Sequence, residues 1–247
     1  MARIAIVTGG ARGIGRGCAH ALAEKGFDIA LVDLLEPEME RTAGEIRAMG
    51  RRVSIHVADV ADFARAAAIV AQVEGEWGGI DFLLNNAGKS MPKPMLEITE
   101  EEFDRTIAIN LKSCFNFIHA AAPGMKRRGA GRIVSTSSLN AHNGGVTSAV
   151  SKFAYAAAKA GIIGMTRALA KELGPEIAIN CICPGVIQTE LGNSLTRSRG
   201  AEMVKGIALG RLGTPADVAQ LVAFLATVEP NFMSGQDFKI DGYQWVT

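Results

Sequence analysis

Arg3-Ile4-Ala5-Ile6-Val7-Thr8-Gly9-Gly10-Ala11-Arg12-Gly13-Ile14-Gly15 opens on a continuous apolar run and closes on a cluster of glycines. An apolar run without alternation suits a strand covered on both faces, as in a parallel sheet. Glycines at 9, 13 and 15 remove the side chains that would hold a pyrophosphate away from the backbone. A helix starting near residue 13 would then turn its open N–H groups and positive dipole end toward the anion. Strand, glycine turn and helix in that order predict an α/β fold.

Outward from this stretch the pattern repeats. Strands are expected at Arg3–Thr8, Asp28–Asp33, Arg52–Val57, Asp81–Asn85, Gly131–Ser137, Ala178–Ile182 and Asp237–Ile240. Helical periodicity lies between them, near 13–25, 36–49, 62–77, 100–127, 153–173 and 215–228. Alternation of this kind builds a doubly wound, Rossmann-type parallel sheet of seven strands with helices on both faces. No linker or repeat divides the chain, so 1–247 is expected to be one dinucleotide-binding domain. The stretch 186–214 has mixed polarity and no period, and long irregular segments in compact domains commonly carry function. It is the expected substrate loop.

Composition removes whole classes of function. The chain has 247 residues, 48% hydrophobic and 21% charged, enough apolar material for a full core. Lys+Arg 26 against Asp+Glu 25 leaves a net charge of +1, without the basic excess of a nucleic-acid binder. Lys126-Arg127-Arg128 reads as a solvated helix end. No run approaches the roughly 18–20 apolar residues of a membrane span, and the N-terminus lacks a signal-peptide pattern. A cytoplasmic protein with a small-molecule substrate is expected. Cys18, Cys114, Cys181 and Cys183 show no zinc spacing, nor do His20, His56, His119 and His142 pair as ligands. No metal is expected.

Two further patterns carry chemistry. Asp33 closes the second strand, 18 positions after Gly15, where a carboxylate can accept hydrogen bonds from adenosine ribose hydroxyls. A 2′-phosphate would meet that negative charge, which favours NAD(H) over NADP(H); Arg12 is the one opposing signal. Tyr155-Ala156-Ala157-Ala158-Lys159 places a phenol and an ammonium on one helix face at i, i+4. A phenol is a poor base at neutral pH, and an adjacent ammonium favours its ionised form. General acid–base exchange between an alcohol and a carbonyl needs such a pair.

The Gly-x-x-x-Gly-x-Gly spacing, Asn85-Asn86-Ala87-Gly88, Tyr155-x-x-x-Lys159 and Pro184-Gly185-Val186-Ile187-Gln188-Thr189, in this order along nearly the whole chain, resemble the short-chain dehydrogenase/reductase family. The branch is that of 3-oxoacyl-acyl-carrier-protein reductases and sugar-alcohol dehydrogenases. The resemblance implies that Tyr155 transfers the proton, and that Lys159 tunes it and holds the nicotinamide ribose. It makes Ser138 the hydrogen-bond donor to the substrate oxygen, and gives Asn110 a water that links Lys159 to solvent. Gly9, Arg12, Gly13, Ile14 and Gly15 would hold the pyrophosphate, Asp33 the ribose, Asp59 and Val60 the adenine. Asn86, Ala87, Gly88, Pro184, Gly185, Ile187 and Thr189 would line the nicotinamide half.

Two departures stand out. Ser138 and Tyr155 are 17 positions apart (155 − 138), more than the family's usual separation, and the residue at the usual distance is His142. An insertion within Asn143–Val150 would absorb the difference as a surface loop. Ser137 is the nearest rival serine; Ser148 and Ser151 are weaker ones. Asp241-Gly242-Tyr243 replaces a second glycine with an aromatic tail, Tyr243-Gln244-Trp245. The expected activity is oxidation of a secondary alcohol or reduction of its ketone, with a sugar, polyol or small hydroxy acid as substrate. A 3-oxoacyl-thioester reductase using NADPH is the alternative, and a non-catalytic dinucleotide sensor is the alternative of another class. Small residues along 153–173 (Ala154, Ala156, Ala157, Ala158, Ala160, Gly161, Gly164, Ala168, Ala170) point to close helix packing, and relatives commonly form homotetramers through this helix and the C-terminal strand region.

Overall fold

A computed structural model of the chain describes residues 2–145, 151–190 and 203–244. Seven strands form one parallel sheet in the order β3-β2-β1-β4-β5-β6-β7. They are β1 Arg3–Thr8, β2 Phe27–Asp33, β3 Val53–Val57, β4 Phe82–Asn85, β5 Gly131–Thr136, β6 Ile177–Pro184 and β7 Asp237–Ile240. Every expected strand is present, with ends moved by at most two residues. β6 grows most, because Cys183 and Pro184 extend it to pair with Lys239 and Ile240.

Helices cover both faces. On one side α1 (Gly13–Glu24), α2 (Glu36–Ala48) and α8 (Pro215–Thr227) pack Leu22, Met39, Ile46, Val218 and Val222 against Val7, Ile29, Leu31 and Phe82. On the other, α3 (Phe63–Trp77), α5 (Ser113–Arg128) and α7 (Phe153–Leu173) bring Ile69, Val73, Phe117, Ala121 and Ile162 onto Ile6, Leu83, Ile133 and Ile179. Local chemistry starts these helices where the sheet needs them. Asp62 accepts the Arg65 N–H to cap α3, and Thr214 with Asp217 forms a reciprocal capping box on α8.

The single helix expected over 100–127 is a correction. It is divided into α4 (Glu100–Ile107), one wide π turn (Ala108–Lys112) and α5. Asn110 lies fully buried in that turn, and its amide donates to Thr106 O at 3.0 Å and to Lys89 O at 2.9 Å. A side chain that bonds the preceding turn competes with the regular ladder, and π turns of this kind concentrate at functional sites. Before the expected surface loop at Asn143–Val150 the chain makes a short element that the sequence reading did not foresee. Asn140–Asn143 forms a helical turn, α6, ended by Gly144 at φ 74°. Ser148 and residues 146–150 lie outside the described residues, as do 191–202 of the expected substrate loop and Trp245.

The basic run at 126–128 ends α5, where cations suit the negative dipole end. Lys126 pairs with Glu176, and Arg127 and Arg128 with Glu74. Among the described residues no helix is long and apolar enough to cross a membrane.

Candidate active site

Strand order reverses between β1 and β4, and in open parallel sheets the crevice for ligands opens there, at the carboxyl ends of the strands. The sequence candidates follow those ends: Gly9 after β1, Asp33 at the end of β2, Asp59 after β3, Asn86 after β4, Ser138 after β5 and Gly185 after β6.

The glycine turn is tied to β4 by one hydroxyl. Thr8 Oγ1, almost fully buried, accepts the N–H of Asn86 at 3.0 Å and of Ala87 at 3.1 Å. Asn86 returns its side-chain amide to Thr8 O and Gly9 O, both at 3.3 Å. These contacts press the two backbones together. A Cβ on Gly9 would lie 2.9 Å from Ala87 Cα with φ at +67°, and one on Gly15 would sit 1.9 Å from Gly9 O. Only glycine fits at either position. Arg12 takes the N-cap of α1 in an extended conformation without a side-chain cap, so the first-turn N–H groups face the crevice uncapped by their own helix. A cradle with uncapped N–H donors and no side chains fits the pyrophosphate of a dinucleotide.

Asp33 reaches the same turn. Oδ2 accepts from Ala11 N at 3.2 Å, and Oδ1 from Leu34 N at 2.7 Å and Leu35 N at 3.3 Å. Asp59 sits one strand further out. Burial pushes its carboxyl up, but the Ala61 N–H and Arg105, 2.6 Å away, outweigh that and hold it below the usual range. Val60 is buried under the same end of the sheet. Across the crevice a Cβ on Gly13 would meet Thr189 at 3.5 Å, which sets the segment after β6 opposite the start of α1. Gly185 is hemmed in by Asp241 and Gln244, and Ile187 bridges to Gly213. Ile14 packs at the edge of the α1-side core.

Tyr155 and Lys159 lie on the first turns of α7, Lys159 Nζ 5.5 Å from the centroid of the Tyr155 ring. Lys159 is buried, and its ammonium donates to Thr136 O at 2.7 Å. A Cβ on Gly88 would stand 3.4 Å from that Nζ and 2.9 Å from Asn110 Oδ1. Asn110 Oδ1 in turn accepts Lys89 N at 3.0 Å. The backbone at 88–89 is therefore wedged between Asn110 and Lys159, and three widely separated segments share one corner.

The two adjacent serines part company. Ser137 is buried and donates to Lys159 O at 2.7 Å, a bond that braces α7 against β5. Ser138 is half-buried, and its Oγ accepts the Asn140 N–H at 3.2 Å, which leaves the hydroxyl hydrogen to donate elsewhere. The roles of Thr8 and the Thr136 carbonyl escaped the sequence reading. Thr8 looks like any β-branched strand residue, and its partners are 78 and 79 positions away.

Comparison with known proteins identifies the family. A family model described as enoyl-(acyl carrier protein) reductase matches residues 9–242. The chain belongs to the short-chain dehydrogenase/reductase family. It is 38% identical to oxidoreductase UcpA of Salmonella typhimurium, covering 97% of this chain and 93% of that one. It is 37% identical to the 3-oxoacyl-[acyl-carrier-protein] reductase FabG of Chlamydia muridarum, covering 97% and 96%. The crystal structure of levodione reductase superposes with a TM-score of 0.90 at 31% identity, over 97% of this chain and 96% of that chain. The Brucella melitensis short-chain dehydrogenase/reductase titled glucose/ribitol dehydrogenase gives 0.89 at 31%, over 97% and 95%. This short-chain dehydrogenase/reductase is an oxidoreductase of a nicotinamide-using family.

At its C-terminal end the chain departs from glycine where the backbone would favour it. Tyr243 adopts φ 56° and is exposed, its N–H donated to Asp241 Oδ1 at 3.0 Å. It is the one non-glycine residue at positive φ among the described residues, and such a conformation costs an aromatic residue about 1–2 kcal/mol. The Tyr243 carbonyl accepts the Ala208 N–H, so this tail closes on the end of the irregular stretch.

Replacing Thr8 tests the tie between the glycine turn and β4. Thr8→Val keeps shape and removes the acceptor for two backbone N–H groups. Stability should fall by about 2 kcal/mol, since unsatisfied buried donors cost roughly 1–3 kcal/mol. Thr8→Ser should retain most of it. Urea unfolding of the three proteins measures both; equal stability of Thr8→Val and the unaltered chain would contradict the role given to Thr8.

Proposed function

We propose that this chain is an NAD(H)-dependent dehydrogenase that interconverts a secondary alcohol and its ketone. The observation that carries the reading is the shared corner of Gly88, Asn110 and Lys159 beside Tyr155, at the carboxyl end of the sheet and across from the glycine turn. Gly9, Arg12, Gly13, Ile14 and Gly15 would hold the pyrophosphate, Asp33 the adenosine ribose, and Asp59 and Val60 the adenine. Asn86, Ala87, Gly88, Pro184, Gly185, Ile187 and Thr189 would border the nicotinamide half. When bound, the dinucleotide supplies the hydride chemistry.

The chain's own residues handle the proton. Tyr155 gives or takes it at the substrate oxygen, with the Lys159 ammonium beside its ring. An ammonium has three donors. One goes to Thr136 O, which leaves two for ribose hydroxyls and for a proton path. Ser138 donates to the substrate oxygen as charge develops there. Asn110 fixes the Lys89 backbone and, through it, the wall against which Lys159 rests; in this reading it also holds the water that connects Lys159 to solvent. The substrate is proposed to be a sugar, polyol or small hydroxylated acid, met by Asn140, His142, Asn143 and the irregular stretch 186–214. The glucose/ribitol wording of the Brucella relative supports that choice. The FabG relatives support a second reading with equal force, reduction of a 3-oxoacyl thioester with NADPH.

A homotetramer is part of the proposal. On α7, Ala154, Ala156 and Ala158 are buried on the chain's own sheet, whereas Ala157, Ala160, Gly164 and Ala168 form an exposed stripe that sheet packing does not use. A second copy could approach closely there. The cytoplasm is the proposed location, in keeping with four cysteines that are all free and buried.

Cofactor choice tests the Asp33 assignment. Initial rates should give a kcat/KM with NAD at least about tenfold above that with NADP, about 1.4 kcal/mol, and Asp33→Asn should narrow the ratio. A preference for NADPH with a 3-oxoacyl thioester would install the second reading. Acid–base catalysis is tested by Tyr155→Phe, which should lower turnover by about 10²-fold or more while dinucleotide binding persists. In the same assay Ser138→Ala should reduce kcat. Near-normal turnover of Tyr155→Phe would remove Tyr155 from the proton transfer, whereas dinucleotide binding with no turnover in the unaltered chain would favour a dinucleotide sensor. Light scattering should report a tetramer, and a fully active monomer would remove that part.

A further inference from the structure

Three ligating side chains that the proposed catalysis does not use meet in the structure: His142 on α6, Cys183 in β6 and Asp237 at the start of β7. A ring nitrogen of His142, Nε2, lies 3.2 Å from Asp237 Oδ2. One ligand atom from each of the three residues lies within 4.8 Å of the other two. Strand register explains the meeting. Cys181 pairs with Asp237 across β6 and β7, and residues i and i+2 of a strand share a face, so Cys183 joins the same side. The extra residues between Ser138 and Tyr155 then fold α6 over this face and deliver the imidazole.

We propose that His142, Cys183 and Asp237 form a site for a borderline-soft divalent cation of the zinc type, with the fourth position open to water. Metal distances near 2.0–2.1 Å for nitrogen and oxygen and 2.3 Å for sulfur put tetrahedral ligand atoms about 3.3–3.6 Å apart. The nitrogen–oxygen edge is already at that separation, and the sulfur has at most about 1 Å to travel. Arg167 holds Asp237 Oδ1 at 2.7 Å and leaves Oδ2 for the ion, the outer bond that orients a ligating carboxylate. Cys183 Sγ forms the floor of the site, fully buried, while the His142 and Asp237 side chains are 24% and 18% exposed and offer the way in. Binding would release the Cys183 proton to solvent and pin α6, which begins two residues after Ser138, onto β6 and β7.

The experiment uses the full chain, stripped with a chelator and then titrated with Zn²⁺ by calorimetry and with Co²⁺ by absorption. One ion per chain should bind with a Kd on the order of 1 μM or tighter, and Co²⁺ should give a thiolate-to-metal charge-transfer band. Cys183→Ser should abolish that band, His142→Ala should weaken Zn²⁺ at least tenfold, and Cys114→Ser should change neither. Failure of the unaltered protein to bind one ion, or an unchanged affinity in His142→Ala, would overturn the site. His142 and Asp237 lie at the surface, so His142→Ala and Asp237→Asn decide the matter even where Cys183→Ser does not fold. Circular dichroism confirms that the variants compared are folded.

Discussion

The rest of the site depends on how closely the backbone after β1 approaches the backbone after β4. Thr8 and Asn86 hold the two together with reciprocal hydrogen bonds, and the contact leaves no room for a Cβ at Gly9 or Gly15. Every other part of the crevice is placed relative to that contact. It sits where the strand order reverses, so helices leave to opposite faces and a cleft opens between them. The glycines are needed by this approach of main chains, and flexibility is not their purpose here.

A second constraint is the buried ammonium of Lys159. Burying a charge costs several kcal/mol unless partners offset it, and among the described residues Thr136 O accepts from this ammonium while the Tyr155 ring lies beside it. Ser137 secures the Lys159 carbonyl at the same time, so β5 grips both ends of that residue. Asn110 and the Lys89 backbone close the opposite side. These bonds hold Lys159 from both sides, as a site must hold a group that is to orient a reacting partner and lose little entropy on binding. The π turn belongs to the same device, because it turns Asn110 inward where a regular helix would pass it along the core face.

Around this rigid centre the chain varies at its margins. The longer path from Ser138 to Tyr155 supplies α6 and its histidine, and the tail at Tyr243 hooks to Ala208. Both changes fall in segments beyond the carboxyl ends of the strands or beside them, while the sheet register beneath them stays regular. Specificity in such folds is set by loops on a fixed scaffold.

The sequence by itself determined what depends on neighbours in the chain. The apolar run Ile4–Val7 followed by glycines specified strand, turn and helix, because buried strands and helix starts are local patterns. Tyr155 and Lys159 were legible together, because four positions on a helix is one turn. Asp33 was legible from its place at a strand end. The tertiary structure alone decided contacts between residues tens of positions apart: Thr8 with Asn86, Lys159 with Thr136, Gly88 between Asn110 and Lys159, His142 with Asp237. No local pattern encodes them, for they arise only when the strand order sets β1 beside β4 and β6 beside β7. The division between Ser137 and Ser138 shows the same limit at a single step, since two identical side chains differ only in what the folded chain places before them.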